Sequence, residues 1–159
     1  MKKILGILLV SITMFSLTSC FEEIDKTFDE VTYVEFQEAI TRTVAVGKTF
    51  PLIAVANGAG VLTTTRVNLV GRQRSTDTQI KYSIDKNETT AVEGTNFRLT
   101  DGGTITIKAN ESFGTAGIEI LRAPAQAGRT VNVVLILESG VSDILVSENY
   151  KRLGFTIRL

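Results

Sequence analysis

The side chains able to do chemistry in this 159-residue sequence are carboxylates, guanidinium and ammonium groups, hydroxyls and a single thiol, Cys20. There is no His and no Trp. Without His the chain lacks the commonest general base near neutral pH and the commonest metal ligand. A serine nucleophile would have no His partner, and no Gly-x-Ser-x-Gly elbow is present to present one. Zinc would have no His to draw on. Hydrolysis by two carboxylates needs acids placed across a cleft. Glu35, Glu38, Asp77, Asp85, Glu88, Glu93, Asp101, Glu111, Glu119, Glu138, Asp143 and Glu148 are available, yet no pair is singled out by its context. Most fall in expected turns or on outward faces, where solvation accounts for them. The expectation is a protein that is not an enzyme, with no catalytic residue, no metal and no cofactor beyond a covalent lipid. One group invites a ligand. Arg66, Arg72, Arg74 and Lys81 gather around the Gly71–Asp77 loop, and Arg72, Arg74 and Lys81 are the candidate contacts for a glycan or an anionic partner. The competing reading is a solvated loop, since blocks of charge usually face water.

The thiol has its own context. Met1-Lys2-Lys3 is a short positive segment, and Ile4 to Leu17 follows as 14 residues without a charge. As a helix that stretch spans about 21 Å, short of the ~30 Å hydrocarbon core of a bilayer. It therefore reads as the apolar region of a signal peptide. It ends in Leu17-Thr18-Ser19-Cys20, which resembles the lipobox of bacterial lipoprotein precursors. The resemblance implies that Leu17, Thr18 and Ser19 are read by the signal peptidase. It also implies that Cys20 carries a diacylglyceryl group and becomes the first residue after cleavage. Each buried methylene contributes about 0.8 kcal/mol, and a second acyl chain turns marginal membrane binding into a stable hold. The alternative is an ordinary secreted protein in which Cys20 is merely an early residue. A single cysteine allows no disulfide within the chain, so the exported domain must rely on its apolar core.

Phe21-Glu22-Glu23-Ile24-Asp25 follows the cysteine. There is no Asp directly after Cys20, so the familiar inner-membrane retention signal is absent. The acidic cluster resembles the surface-export signal of Bacteroidota lipoproteins; a solvated tether is the competing reading. The expected organisation is a signal peptide at 1–19, a tether at 20–30 and one domain at 31–159. The expected location is the cell envelope, lipid-anchored at the outer membrane, with the periplasmic and the outside-facing leaflet both open. Setting Lys2 and Lys3 aside from 17 basic residues leaves 15 against 17 acidic ones, near −2. That balance offers no footprint for nucleic acid, which needs clustered Lys and Arg.

To position any of these groups the chain must fold, and its pattern is β. Short β-type runs alternate with turn signals, as in an all-β sandwich or barrel, and no stretch holds a 3.6-residue period over three turns. The expected strands are Val31–Gln37, Arg42–Val46, Phe50–Ala56, Val61–Val70, Thr78–Ile84, Asn96–Leu99, Thr104–Lys108, Thr115–Leu121, Thr130–Glu138 and Arg152–Leu159. Leu153, Phe155, Ile157 and Leu159 share one face; Val131, Val133, Leu135 and Leu137 share another. Val134 and Ile136 lie on the far side of that second run, which marks a central strand covered on both faces. Asp101-Gly102 and Asn57-Gly58 suit tight hairpins that need positive φ. Pro51 suggests a strand start or an edge, and Pro124 suggests a loop.

Thr89-Thr90-Ala91-Val92-Glu93-Gly94-Thr95-Asn96-Phe97 is the most distinctive stretch. It leads into Gly103-Thr104-Ile105-Thr106-Ile107, then Asn110-Glu111-Ser112, then Ile118-Glu119-Ile120. The series resembles the Calx-beta motif, as do Bacteroidota lipoproteins with an N-terminal immunoglobulin-like domain, often found beside polysaccharide-utilisation systems. Tyr33-Val34-Glu35-Phe36 and Val67-Asn68-Leu69-Val70-Gly71 also resemble that group, so the likeness covers about residues 30 to 138. It implies an all-β, immunoglobulin-like (Calx-beta-like) antiparallel sandwich. Two departures matter. The usual Asp-Tyr pair is Asn96-Phe97 here, and Arg122-Ala123-Pro124-Ala125-Gln126 stands where calcium-binding members carry acids. Calcium takes six to eight oxygen ligands, so no calcium ligand is carried over. Members of the group often have a second region, and the chain ends at Leu159, so a function residing there is expected to be absent. The leading expectation is a non-catalytic, membrane-tethered module that binds a protein or a glycan. The alternative is a fimbrillin-like subunit of a surface filament, for which Leu153–Leu159 would be the exchangeable strand.

Overall fold

Side chains on successive strand residues point to opposite faces, so a strand with one apolar face must bury it against another layer. In the computed structural model, which describes residues 31–159, ten strands solve this by forming two five-stranded sheets. The expected signal peptide at 1–19 with Leu17, Thr18 and Ser19, the expected lipidation site Cys20 and the expected tether at 20–30 lie outside the described residues. The first sheet, A, holds β1 (Thr32–Phe36), β3 (Val61–Val70), β5 (Phe97–Leu99), β7 (Phe113–Ile120) and β9 (Ile144–Val146), in the order β5-β7-β3-β1-β9. The second, B, holds β2 (Leu52–Ala56), β4 (Thr78–Ile84), β6 (Thr104–Ile107), β8 (Thr130–Glu138) and β10 (Arg152–Arg158), in the order β2-β10-β8-β4-β6. The result is the expected all-β sandwich.

The core follows the alternation. Val34, Phe36, Val67, Leu69, Ile118 and Ile120 face inward from sheet A; Ile80, Ile105, Ile107, Val133, Leu135, Leu153, Phe155 and Ile157 meet them from sheet B, all buried. Burying one such side chain contributes roughly 1.5–3 kcal/mol. β8 is the third strand of five, and Val134 on its far face is also buried, as expected of a central strand. Pro51 sits just before β2, the edge strand of sheet B. β10 is inserted between β8 and β2 of its own chain, with Leu153 opposite Leu135 and Phe155 opposite both Val133 and Ile53.

Several local expectations are revised. Arg42–Val46 is not a strand: Ala45 N–H bonds to the Phe50 carbonyl, Lys48 N–H bonds to the Ala45 carbonyl, and Gly47 takes φ 74° to close the turn. Val44 and Val46 are exposed, so their β propensity finds no neighbouring strand to pack on. Gln37 opens a five-residue helix, α1 (Gln37–Thr41), instead of ending β1; it buries Ala39, and Thr65 donates a hydrogen bond to the Glu38 carboxylate. β9, three residues between Asp143 and Ser147, was not expected, although the equally short β5 was, as Asn96–Leu99. Two edge pairings, β1 with β9 and β2 with β10, are parallel in an otherwise antiparallel sandwich. Neither Asp-Gly nor Asn-Gly makes a hairpin. Asp101 and Gly102 do take positive φ, 47° and 59°, but within a 3-10 turn (Thr100–Gly103) that carries the chain from sheet A to sheet B. Asn57-Gly58 likewise leads from β2 in sheet B to β3 in sheet A. The Asn57 amide donates to the Ala123 carbonyl and accepts from Ala123 N–H, both at 3.1 Å. Such turn dipeptides report local backbone geometry, which a crossover between sheets needs as much as a hairpin does.

One buried polar cluster ties the sheets together at the β5–β6 crossover. The Tyr82 hydroxyl, on β4, lies 2.8 Å from the Gly117 carbonyl and 2.9 Å from the Thr100 carbonyl, and accepts a bond from Gly117 N–H at 3.3 Å. Thr100 donates its own hydroxyl to the Gly117 carbonyl at 3.0 Å. These groups satisfy the β7 backbone where β5 is too short to pair with it.

Candidate functional site

Alternation sets three polar side chains outward along β6: Thr104, Thr106 and Lys108, the last just beyond the strand, between the buried Ile105 and Ile107. On β7, Phe113 and Thr115 face outward between Gly114 and Ala116, both buried. β6 is the edge of sheet B, and the first half of β7 has no partner on its β5 side. The two strands meet at the seam between the sheets. Gly114 permits this approach: a Cβ there would lie 2.5 Å from Ile105 Cγ2 and 3.2 Å from the Thr106 carbonyl.

The seam opens as a concavity of about 570 Å³ lined by Asp101, Thr104, Thr106, Lys108, Glu111, Phe113, Gly114 and Thr115. That volume falls within the range of small-ligand sites. Asp101 comes from the 3-10 turn and Glu111 from the β6–β7 turn, where Asn110 takes φ 62° and Glu111 N–H bonds to the Lys108 carbonyl. Phe113 is 43 % exposed, with the Arg66 guanidinium 3.9 Å from its ring centroid, a cation–π contact that orients the ring. Lys108 donates to Asp77 at 2.7 Å, and Ala109 N–H donates to the same carboxylate at 3.0 Å. These two bonds, the lysine's first, hold the Asp77 carboxyl below the ordinary carboxylate range. The lining thus offers three hydroxyls, two carboxylates, the Lys108 ammonium and an aromatic ring, a set suited to hydrogen-bonding and stacking against a polyol.

The structure separates the basic residues singled out from the sequence. Arg72 and Arg74 share a second concavity, about 360 Å³, with Thr32, Gln73, Ser75 and Asp143. Arg74 donates to Asp143 at 2.6 Å, which holds the Asp143 carboxyl below its ordinary range. Lys81 is not in that concavity. It sits outward on β4, opposite Thr104 and Glu138, and Arg66 lies over Phe113 on sheet A. The Thr-rich alternation of β6 was visible in the sequence; its juxtaposition with Phe113 across a sheet boundary was not.

Asn96 and Phe97, the departure from the Calx-beta pair, serve the fold. Both are buried, and the Asn96 side-chain oxygen accepts a bond from Val92 N–H at 2.8 Å. Among the described residues, no group of three or more His, Cys, Asp or Glu is placed to hold a metal ion. Among the same residues, no helix is long and apolar enough to cross a membrane.

No family model and no curated protein matches the sequence. Solved structures do match. CBD12 from CALX1.2 aligns with a TM-score of 0.56 at 15 % identity, over 79 % of this chain and 43 % of that one. A candidate carbohydrate binding protein from Bacteroides ovatus ATCC 8483 aligns with a TM-score of 0.56 at 10 % identity, over 79 % of this chain and 36 % of that one. The chain therefore spans about two fifths of the length of these solved chains. At such identities the likeness is one of fold, and it makes the sandwich immunoglobulin-like and Calx-beta-like.

Proposed function

We propose that this chain is a non-catalytic, lipid-anchored glycan-binding module of a bacterial cell envelope, acting in polysaccharide utilisation. In this reading residues 1–19 are removed, acyl chains on Cys20 hold the protein at the outer membrane, 20–30 is a tether, and the sandwich faces outward. The Leu17-Thr18-Ser19-Cys20 sequence supports the anchor. The seam concavity carries the binding half: Thr104, Thr106 and Thr115 hydroxyls and the Asp101 and Glu111 carboxylates surround a half-exposed Phe113. The fold shared with a candidate carbohydrate binding protein is in keeping with this.

The test is titration of the detergent-solubilised lipoprotein with a panel of neutral and acidic bacterial and plant polysaccharides. The expected result is binding to at least one of them that Phe113→Ala weakens at least tenfold, about 1.4 kcal/mol, while Arg72→Ala stays within twofold. Absence of binding across the panel, or equal binding by Phe113→Ala, overturns the glycan assignment. Retention of Cys20→Ser in the membrane fraction overturns the anchor.

A further inference from the structure

We propose that the edge of sheet A at which the chain enters the domain rests on the bilayer surface, through an apolar patch formed by Val31, Tyr33, Val70 and Leu145. The inference rests on the lipid-anchored reading above and goes beyond it, since an anchor alone says nothing about which face of the domain meets lipid. Pairing register brings the patch together. Tyr33 on β1 stands opposite Val70 on β3 and opposite Leu145 on β9. Val31 lies two residues before Tyr33. The four side chains are 38 %, 39 %, 38 % and 49 % exposed in chain order, an apolar and aromatic group on a face whose other outward residues include Glu35, Thr64, Arg66 and Asn68.

Three observations select lipid as the occupant. The first is reach. Cys20 precedes Val31 by eleven residues, so even a fully extended chain puts the acyl attachment at most about 40 Å from the patch. The second is chemistry. Arg72 follows Val70 by two residues, is exposed, and makes no ion pair among the described residues. Aliphatic side chains, a tyrosine and a free guanidinium at one edge match an interface between acyl chains and anionic headgroups. The third is size. Four partly covered side chains fall well short of the ~800 Å² that each partner of a stable protein complex buries. A weak contact of this size becomes populated only when a tether raises its effective concentration. The seam concavity lies towards the opposite edge of sheet A and stays free.

The sequence has no Trp, so Tyr33→Trp provides a single fluorescent reporter in the lipidated full chain. Leu62→Trp is the control, on the same face of β3 and about 27 Å along the strand from Val70. Each is reconstituted into vesicles of phosphatidylethanolamine and phosphatidylglycerol, with and without bromine on the acyl chains. The expected result is emission from Tyr33→Trp that shifts to the blue on vesicles and falls at least twofold with brominated lipid, while Leu62→Trp changes by less than a tenth. Protein that floats with the vesicles but shows no quenching of Tyr33→Trp overturns this proposal and leaves the anchor standing. Wild-type protein that fails to float overturns the anchor and the proposal together. A blue shift that grows with protein concentration without vesicles assigns the patch to a second copy and also overturns it.

Discussion

Two polar regions of this sandwich use hydrogen bonds in opposite settings. Beneath the seam, neutral groups of Tyr82, Thr100 and Gly117 meet inside the protein. At the rim, Arg74 meets Asp143 and Lys108 meets Asp77 in the open, with aspartate side chains 58 % and 48 % exposed. The rim pairs carry full charges and short distances, yet water competes for every one of their atoms. The buried groups carry no net charge, but a group left without its partner there has no water to turn to. The surroundings of a polar contact, more than its formal charge, decide what it holds together. Here the buried contacts fix the corner on which the candidate site is built.

The largest loss is expected at Gly103. It takes φ 77°, and an added Cβ would lie 2.5 Å from the Tyr82 carbonyl oxygen, a backbone atom that cannot swing away. Gly103→Ala combines a left-handed residue with overpacking and is expected to cost about 2–4 kcal/mol, read as a lower thermal midpoint and loss of the seam site. Tyr82→Phe is the milder test. It keeps the ring and removes the oxygen that serves Gly117 N–H, for an expected loss of about 1–3 kcal/mol in urea unfolding. A variant as stable as the wild type would show that the buried hydroxyl holds nothing.

The rim gives the smallest effect and sharpens the contrast through pH. The carboxyls of Asp77 and Asp143 sit below their ordinary value of 3.8 in the folded chain. A depressed folded-state value contributes stability that is fully present above the unfolded value and is lost as pH falls through the folded one. Comparing urea midpoints at pH 5 and pH 3, the Asp77→Asn, Asp143→Asn double variant is expected to lose slightly less stability on acidification than the wild type. An identical loss in both proteins would remove the rim pairs from the account.

Much of the architecture was legible because burial imposes a period. Val61–Val70, Thr78–Ile84 and Thr130–Glu138 read from the sequence with the ends they have in the structure, since each pairs on both sides and packs a long apolar face. Short elements were legible only in part: Asn96–Leu99 and Thr104–Lys108 correspond to the edge strands β5 and β6, whereas two other readings failed. β9 has three residues, and Arg42–Val46 has β-type residues but no strand beside it. For the site, the outward hydroxyls of Thr104 and Thr106 follow from alternation, but of Arg72, Arg74 and Lys81, adjacent enough in sequence to suggest one cluster, only Arg72 and Arg74 share a surface, and Lys81 stands apart on β4.

Which side chains turn inward on each long strand, where the backbone needs glycine or Asp-Gly geometry, and which chemistries lack their residues can all be read along the chain. These are local matters, set by the two-residue repeat of a strand and by the φ range of each residue type. Which strands share a sheet, the crossing of the Asp101-Gly102 turn between sheets, and the place of Phe113 beside Thr104 and Thr106 emerge with the packed fold. Those outcomes depend on contacts between distant segments, and each is chosen by the closing of one core, whose apolar faces look alike until they are packed together.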